Sequence, residues 1–317
     1  MALLNKRRVL LAKIETTEQT DPTPTGAANA ILCKNLEVTP LEAEIVDRDV
    51  IRAYLGSSDQ LIAAYMVKLS FEVELQGAGT AGTAPAYGPL LRACGMSETT
   101  SAGVSVTYRP ISGGFESATL YYQPADNVAA SSPLHKAVGC RGNVEFTLNA
   151  KQVPVAKFSF TGIYVAVADA TNLTATYTSF RTPAVVNKQN TPTFTFLGHT
   201  AKMSEFNLNM NNQVVYRNLV NEERVIITDR KAGGSVTFDA PTIASKNFFT
   251  EALGSTLGSL SLIHGATAGS IIEIAATSTV DITSPTYGVS DEIVTIVAPF
   301  VLVPTTAGND EFSLVVR

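Results

Sequence analysis

Three histidines, three cysteines and one glycine cluster are the residues of this 317-residue chain best suited to chemistry, so their spacing is decisive. His135, His199 and His264 stand far apart, with no H-E-x-x-H pair and none of the neighbouring ligands a metal needs. Cys33, Cys94 and Cys140 are equally dispersed. They read as buried thiols of a reducing compartment, not as a disulfide framework. Gly77-Ala-Gly-Thr-Ala-Gly82 formally matches the G-x-G-x-x-G of dinucleotide sites. The segment before it alternates with Lys68, Glu72 and Glu74, whereas the strand entering such a site is buried on both faces. Pro85 and Pro89 interrupt the helix that would follow, and no acidic residue ends a second parallel strand, so the glycines read as a flexible insertion. There is no G-x-S-x-G elbow, and Asn172-Leu-Thr174 is an isolated glycosylation sequon. These residues predict no enzyme, no metal site and no cofactor.

The elements that would have to position such residues are more informative. The chain is 45% apolar and only 16% charged, with a net charge of −5, and its mean hydropathy is +0.15. No apolar run approaches the ~18 residues that span a bilayer. The apolar stretch after Lys6, Arg7 and Arg8 is too short for a secretory leader, so no membrane association is expected. A mildly acidic chain lacks the basic field of a protein that grips nucleic acid. Low charge with high apolar content suits either a large core or a subunit that hides surface in an assembly.

The local pattern is strand. In Lys68-Leu-Ser-Phe-Glu-Val-Glu-Leu75, the residues Leu69, Phe71, Val73 and Leu75 share one face, and Lys68, Ser70, Glu72 and Glu74 the other. Similar runs recur at 144–148, 156–164, 206–210, 235–239, 259–263, 271–274 and 311–316. Two short helices are expected, Tyr87–Cys94 and Ser245–Leu253, ending at Gly95 and Gly254 as helix C-caps.

The chain also repeats itself. Leu36-Glu-Val38 resembles Phe206-Asn-Leu208 at an offset of 170, and Leu69-Ser-Phe-Glu72 resembles Val236-Thr-Phe-Asp239 at 167. Asn143–Thr147 resembles Thr279–Thr283 at 136, as Phe158 and Phe160 resemble Val294 and Ile296. The offset falls steadily, so the elements keep their order and the first copy has longer loops, at 77–88 and 123–133. The expected organisation is an N-terminal arm (1–30), a first β domain (31–167), a connector (168–198) and a second β domain (199–317).

Several segments carry a family resemblance: Ala12-Lys-Ile-Glu15 with Asp21-Pro-Thr-Pro24, Leu36-Glu-Val-Thr-Pro-Leu-Glu42, Leu69–Glu74 and Tyr87-Gly-Pro-Leu-Leu-Arg-Ala-Cys-Gly95. Asn212-Gln-Val-Val-Tyr-Arg217, Ile226–Arg230 and Gly308-Asn-Asp-Glu311 extend it over nearly the whole chain. In these the chain resembles the major tail tube proteins of long-tailed, non-contractile, siphovirus-type bacteriophages. The resemblance implies a mainly β fold of two tandem tail-tube-type β-sandwich or barrel domains, each with a short flanking helix. It implies stacked rings around a lumen that conducts DNA, with three two-domain chains per pseudo-hexameric ring. The implied partners are the chain itself, the tape measure protein, the tail terminator and distal tail or baseplate proteins. The implied location is the virion tail, assembled in the bacterial host cytoplasm. Other readings are a tube of a secretion or injection system and a monomeric tandem β-sandwich binding module.

Two loops of about twenty residues, 46–66 and 215–232, mix charge with apolar residues and are expected to contact the next ring, becoming ordered only on assembly. Their candidate contacts are Arg48, Asp49, Arg52 and Tyr54 in one, and Arg217, Glu223, Arg224 and Arg230 in the other. Arg48 and Arg217 occupy matching positions, and the arginine fork suits ion pairs at interfaces. Acidic residues recur on the polar strand face: Glu72 with Asp239, Glu145 with Asp281, and Glu37 and Glu74 on the same pattern. They are the candidates for the lumen, where carboxylates repel phosphate and let DNA slide.

Overall fold

The computed structural model describes residues 3–125 and 130–317, so residues 126–129 of the expected 123–133 loop lie outside the described residues. The chain begins with β1 (Arg8–Ile14), β2 (Lys34–Asp47), β3 (Gln60–Glu74), α1 (Gly88–Ala93), β4 (Met96–Ser101) and β5 (Ser105–Pro110). It continues with β6 (Ala118–Pro124), β7 (Ser131–Asn149), β8 (Val155–Thr171), β9 (Thr193–Phe196), β10 (His199–Thr200) and β11 (Met203–Asn209). Then follow β12 (Asn212–Leu219), β13 (Glu222–Arg230), β14 (Gly233–Asp239), α2 (Phe248–Gly254) and β15 (Gly258–His264). The last elements are β16 (Ile272–Ile282), β17 (Thr286–Ser290), β18 (Ile293–Leu302) and β19 (Ser313–Val316).

Eight strands form one antiparallel run in the order β2-β3-β8-β7-β11-β14-β18-β17. Its apolar face follows from period-two alternation: Phe71, Phe158, Phe206, Phe238 and Phe300 are all buried. A second layer covers that face. It contains β1, β6 and the first half of β7 over one part, and β9-β15-β16-β19-β5-β4 over the other. Contacts across the sandwich are direct, as where Phe196 of β9 meets Phe238 at 6.1 Å and Phe300 at 5.8 Å between ring centroids. Phe248 of α2 packs on Phe238 at 4.9 Å, and Leu90 and Leu91 of α1 are completely buried.

The repeat is visible in the ladders. Phe71 opposes Phe158 as Phe238 opposes Ile296, and Val38 opposes Leu69 as Phe206 opposes Val236. The structural offsets are therefore 168 for β2 and β11, where the sequence match suggests 170, and 138 for β8 and β18, where it suggests 136. A slip of two residues leaves every side chain on its face, so alternation alone does not detect it. The pairing of Glu145 with Asp281 fails for a larger reason. Glu145 opposes Lys157, whose counterpart Thr295 opposes Gly288 of β17, whereas Asp281 opposes Val301.

The halves are fused, not merely linked. β7 pairs with β11, β5 pairs with β19, and one hydrophobic cluster runs through both halves. Of the stretch assigned as an arm, residues 8–14 form β1 and pair with β6. The connector narrows to 172–192, because β8 runs to Thr171 and β9 begins at Thr193. The expected glycine insertion is also a joint. Gly79 N–H donates to the Gly269 carbonyl at 2.8 Å, and a Cβ on Gly77 would lie 2.0 Å from that same oxygen. Glycine is required there by close approach of two backbones, not by flexibility. Gly95 follows α1 with φ +80, as a C-cap glycine should, but Gly254 lies inside α2 and Ser255 takes the left-handed position at φ 45.

Candidate assembly surfaces

The polar face of the eight-stranded run collects five of the six acidic candidates, and the sixth, Asp281, lies on β16, whose end pairs with β18 beside that face. Directly opposed residues share a face, and Glu72, Lys157, Glu145 and Asn209 oppose one another in turn across β3, β8, β7 and β11. Glu37 opposes Ser70, two residues before Glu72, and Glu74 lies two residues after it. Asp239 is six residues from Gly233, which opposes Asn209 and Val301, and Val301 opposes Asp281. The same face carries lysines whose position the sequence reading missed. Lys157 sits between Glu72 and Glu145, Lys34 lies 3.8 Å from Glu74, and Lys202 lies 3.6 Å from Asp239. Asn207 and Asn209 donate to Glu145. The face is thus polar and modestly acidic, with its charges partly compensated.

The two expected loops are largely strand. Segment 46–66 contains the end of β2 and the start of β3, leaving an irregular tip at 48–59. Within that tip Arg48 pairs with Asp59 at 2.7 Å, Arg52 reaches the same carboxylate at 3.3 Å, and Arg52 lies over the Tyr54 ring at 5.9 Å. Asp49 is exposed. The stem below bears exposed Ile45, Val46, Leu61, Ile62 and Tyr65.

Segment 215–232 is the β12–β13 hairpin, closed at Val220-Asn221, and it lies across the first half of its own chain. Val225 is fully buried against Val138 and Ile163, with Val165, Val214 and Tyr216 packed around them. Arg141 pins it: one terminal nitrogen donates to the Val225 carbonyl and to Glu18 at 2.6 Å, the other to the Phe115 carbonyl at 3.0 Å. The Arg141 hydrogen bond holds the Glu18 carboxyl below its ordinary pKa. On the outer side Arg217 and Arg224 both pair with Glu222, at 3.0 and 2.9 Å, while on the face of Val225 the exposed Glu223 accepts from the Tyr216 hydroxyl at 2.6 Å. Arg230 differs from the other candidates in having a side chain only 10% exposed. It donates to Glu311 at 2.6 Å and to the Ile111 carbonyl at 2.6 Å.

The chemistry-bearing residues are dispersed. His264 is buried, with its ring nitrogens on Thr191 at 2.9 Å and the Ala184 carbonyl at 3.1 Å, and burial lowers its pKa. The three cysteines are free thiols, and burial pushes Cys33 up to about 11. Among the described residues no group of three or more His, Cys, Asp or Glu could hold a metal ion, and no helix is long and apolar enough to cross a membrane. A family model described as "Phage tail tube protein" matches residues 5–301. No curated protein matches the chain.

Proposed function

The chain belongs to the phage tail tube protein family, and from that premise we propose that three copies close each ring of the tube, presenting six sandwich units around the bore. The observation that carries this reading is the run from β2 to β17. It joins two equivalent groups of four strands and ends in two edges, β2 and β17, that have no outer neighbour among the described residues. Closure into a ring removes such edges. An even number of strands per chain also keeps the alternation of direction through every junction. The part of the polar face that the hairpin does not cover at Ile163 then lines the bore, because the opposite face is covered by the second layer. Glu37, Glu72, Glu74, Glu145, Asp239 and Asp281 outweigh the nearby lysines there and keep DNA moving through without specific binding.

Arg48, Asp49, Arg52 and Tyr54 at one hairpin tip, and Arg217 and Arg224 on the outer face of the other with Glu223 exposed beside its turn, serve ring-to-ring contact, with Arg230 bracing the second hairpin from below. The tape measure protein, tail terminator and distal tail or baseplate proteins complete the partners, in a virion tail assembled in the host cytoplasm. Electron microscopy with native mass measurement tests the reading. Stacked rings of three chains are expected. A chain that stays monomeric at all concentrations, or rings of six chains, would overturn it, and carboxylates on the outer wall of a reconstruction would overturn the bore assignment.

A further inference from the structure

The β12–β13 hairpin seats on the first half of its chain, whereas the stem of β2 and β3 beyond Tyr65, which meets Tyr164 at 5.5 Å, exposes an apolar surface with no such seat among the described residues. The two halves are repeats, so the seat has a counterpart. Ile163 and Val165, which receive the hairpin, correspond at the β8–β18 offset to Val301 and Val303. Ile227 of the hairpin closes over Gly95 beside Phe115, where both side chains crowd the site of a glycine Cβ at 3.2–3.3 Å. Gly95 follows α1, and its sequence counterpart Gly254 is the last residue of α2, directly after Leu253 and three residues before Leu257. Leu253 is 89% exposed, Leu257 41%, Val301 42% and Val303 37%. The counterpart seat is thus apolar and bare, and the unseated stem carries Ile62, Leu61 and Ile45 at 60%, 52% and 53% exposure.

We propose that the β2–β3 hairpin stem of one copy seats on the Leu257, Val301 and Val303 surface of a second copy in the same ring, with the β2 edge paired to that copy's β17 edge. This rests on the ring reading above and adds the lateral contact to it. The chain contains the template for that contact in its own β7–β11 joint, where Thr147 opposes Asn207. Asn207 opposes Ser235 as Thr39 opposes Lys68, and Thr147 opposes Val155 as Ser290 opposes Ile293. Carrying the joint over by these registers sets Thr39 of one copy opposite Ser290 of the next. The stem then reaches the second copy's bare surface, as β12–β13 reaches Val138 and Ile163 beyond its own joint. The contact is sideways within a ring, which leaves the 48–59 tip free to project from it.

Cysteine pairs with a short thiol cross-linker test this. Thr147→Cys with Asn207→Cys is the internal standard and cross-links within one chain. Thr39→Cys with Ser290→Cys is expected to give covalent dimers and closed trimers between assembled chains, and Glu37→Cys with Ser290→Cys, two residues out of register, much less. Ile62→Asp and Val303→Asp alter exposed side chains, so they are expected to leave the circular dichroism spectrum unchanged and to abolish ring closure. Rings that form but cross-link only at the internal pair, or that persist with both Asp variants, overturn the proposed contact and leave the ring reading standing. A wild-type chain that never assembles overturns both.

Discussion

Replacing Arg230 by Met removes the cation that bridges the two halves beneath the hairpin. Its side chain is 10% exposed and that of Glu311 is 7%, and two of its nitrogens donate to one Glu311 oxygen, at 3.1 and 2.6 Å. A third donates to the Ile111 carbonyl, which belongs to the first half. The variant leaves a buried carboxylate without its partner, a change that costs about 3–5 kcal/mol. That is a large part of the ~5–15 kcal/mol by which domains are stable. Removing Glu311 as well, as Leu, takes away the uncompensated charge. The double variant then lacks a donor for one buried carbonyl, worth about 1–3 kcal/mol, against which new apolar contact weighs. The double variant should therefore be more stable than Arg230→Met alone. Urea unfolding of the unassembled chain, followed by tyrosine fluorescence and circular dichroism together, measures both. A loss below about 1 kcal/mol for Arg230→Met, or a double variant at least as damaged as the single one, would refute the reasoning.

Val225→Ala empties the centre of the hairpin seat and should destabilise the chain by about 2 kcal/mol, counting two lost methyl groups and a partial cavity. A change within experimental error would show that the hairpin does not rest there. Hydrogen exchange of the free chain should find amides of 212–230 protected and those of 48–59 fast, since the first group forms a seated ladder and the second an irregular tip. Equal rates in the two segments would contradict this. His264 is held below its ordinary 6.5, so the unfolded chain takes up that proton first, and stability present above that value falls as the pH drops through it. Glu18, held below 4.5 mainly by Arg141, adds a second loss at lower pH, and stability that does not change between about pH 7.5 and 3 would exclude both contributions.

Much of this fold is written in alternation. The faces of Lys68–Leu75 are legible because each residue type repeats its environment every second position, and α1 is legible by Gly95, whereas in α2 Ser255 and not Gly254 takes the capping conformation. What joins the halves is not. The β7–β11 and β5–β19 ladders depend on which edges meet in space, and nothing in Ser105–Pro110 names Ser313–Val316 as its partner. Segment 215–232 reads as a loop because both faces of its hairpin mix charged and apolar residues, so no clean alternation marks it. Its turn at Val220-Asn221, with Asn221 at φ +66, was the available signal. Gly77 shows the opposite error: small residues suggest freedom, where the structure uses them for contact. The acidic face was legible residue by residue, while its lysines required the strand order.

The two hairpins differ in one further respect. One ends in a tight turn at Val220-Asn221 and the other in the long tip 48–59. Rings of six identical units could settle on one another in six equivalent rotations. Rings of three such chains would present short and long projections by turns, and only three rotations would bring like onto like. In the proposed ring of three chains, fusing two copies into one polypeptide would thereby give each layer of the stack a rotational key, selecting its azimuth as well as its height.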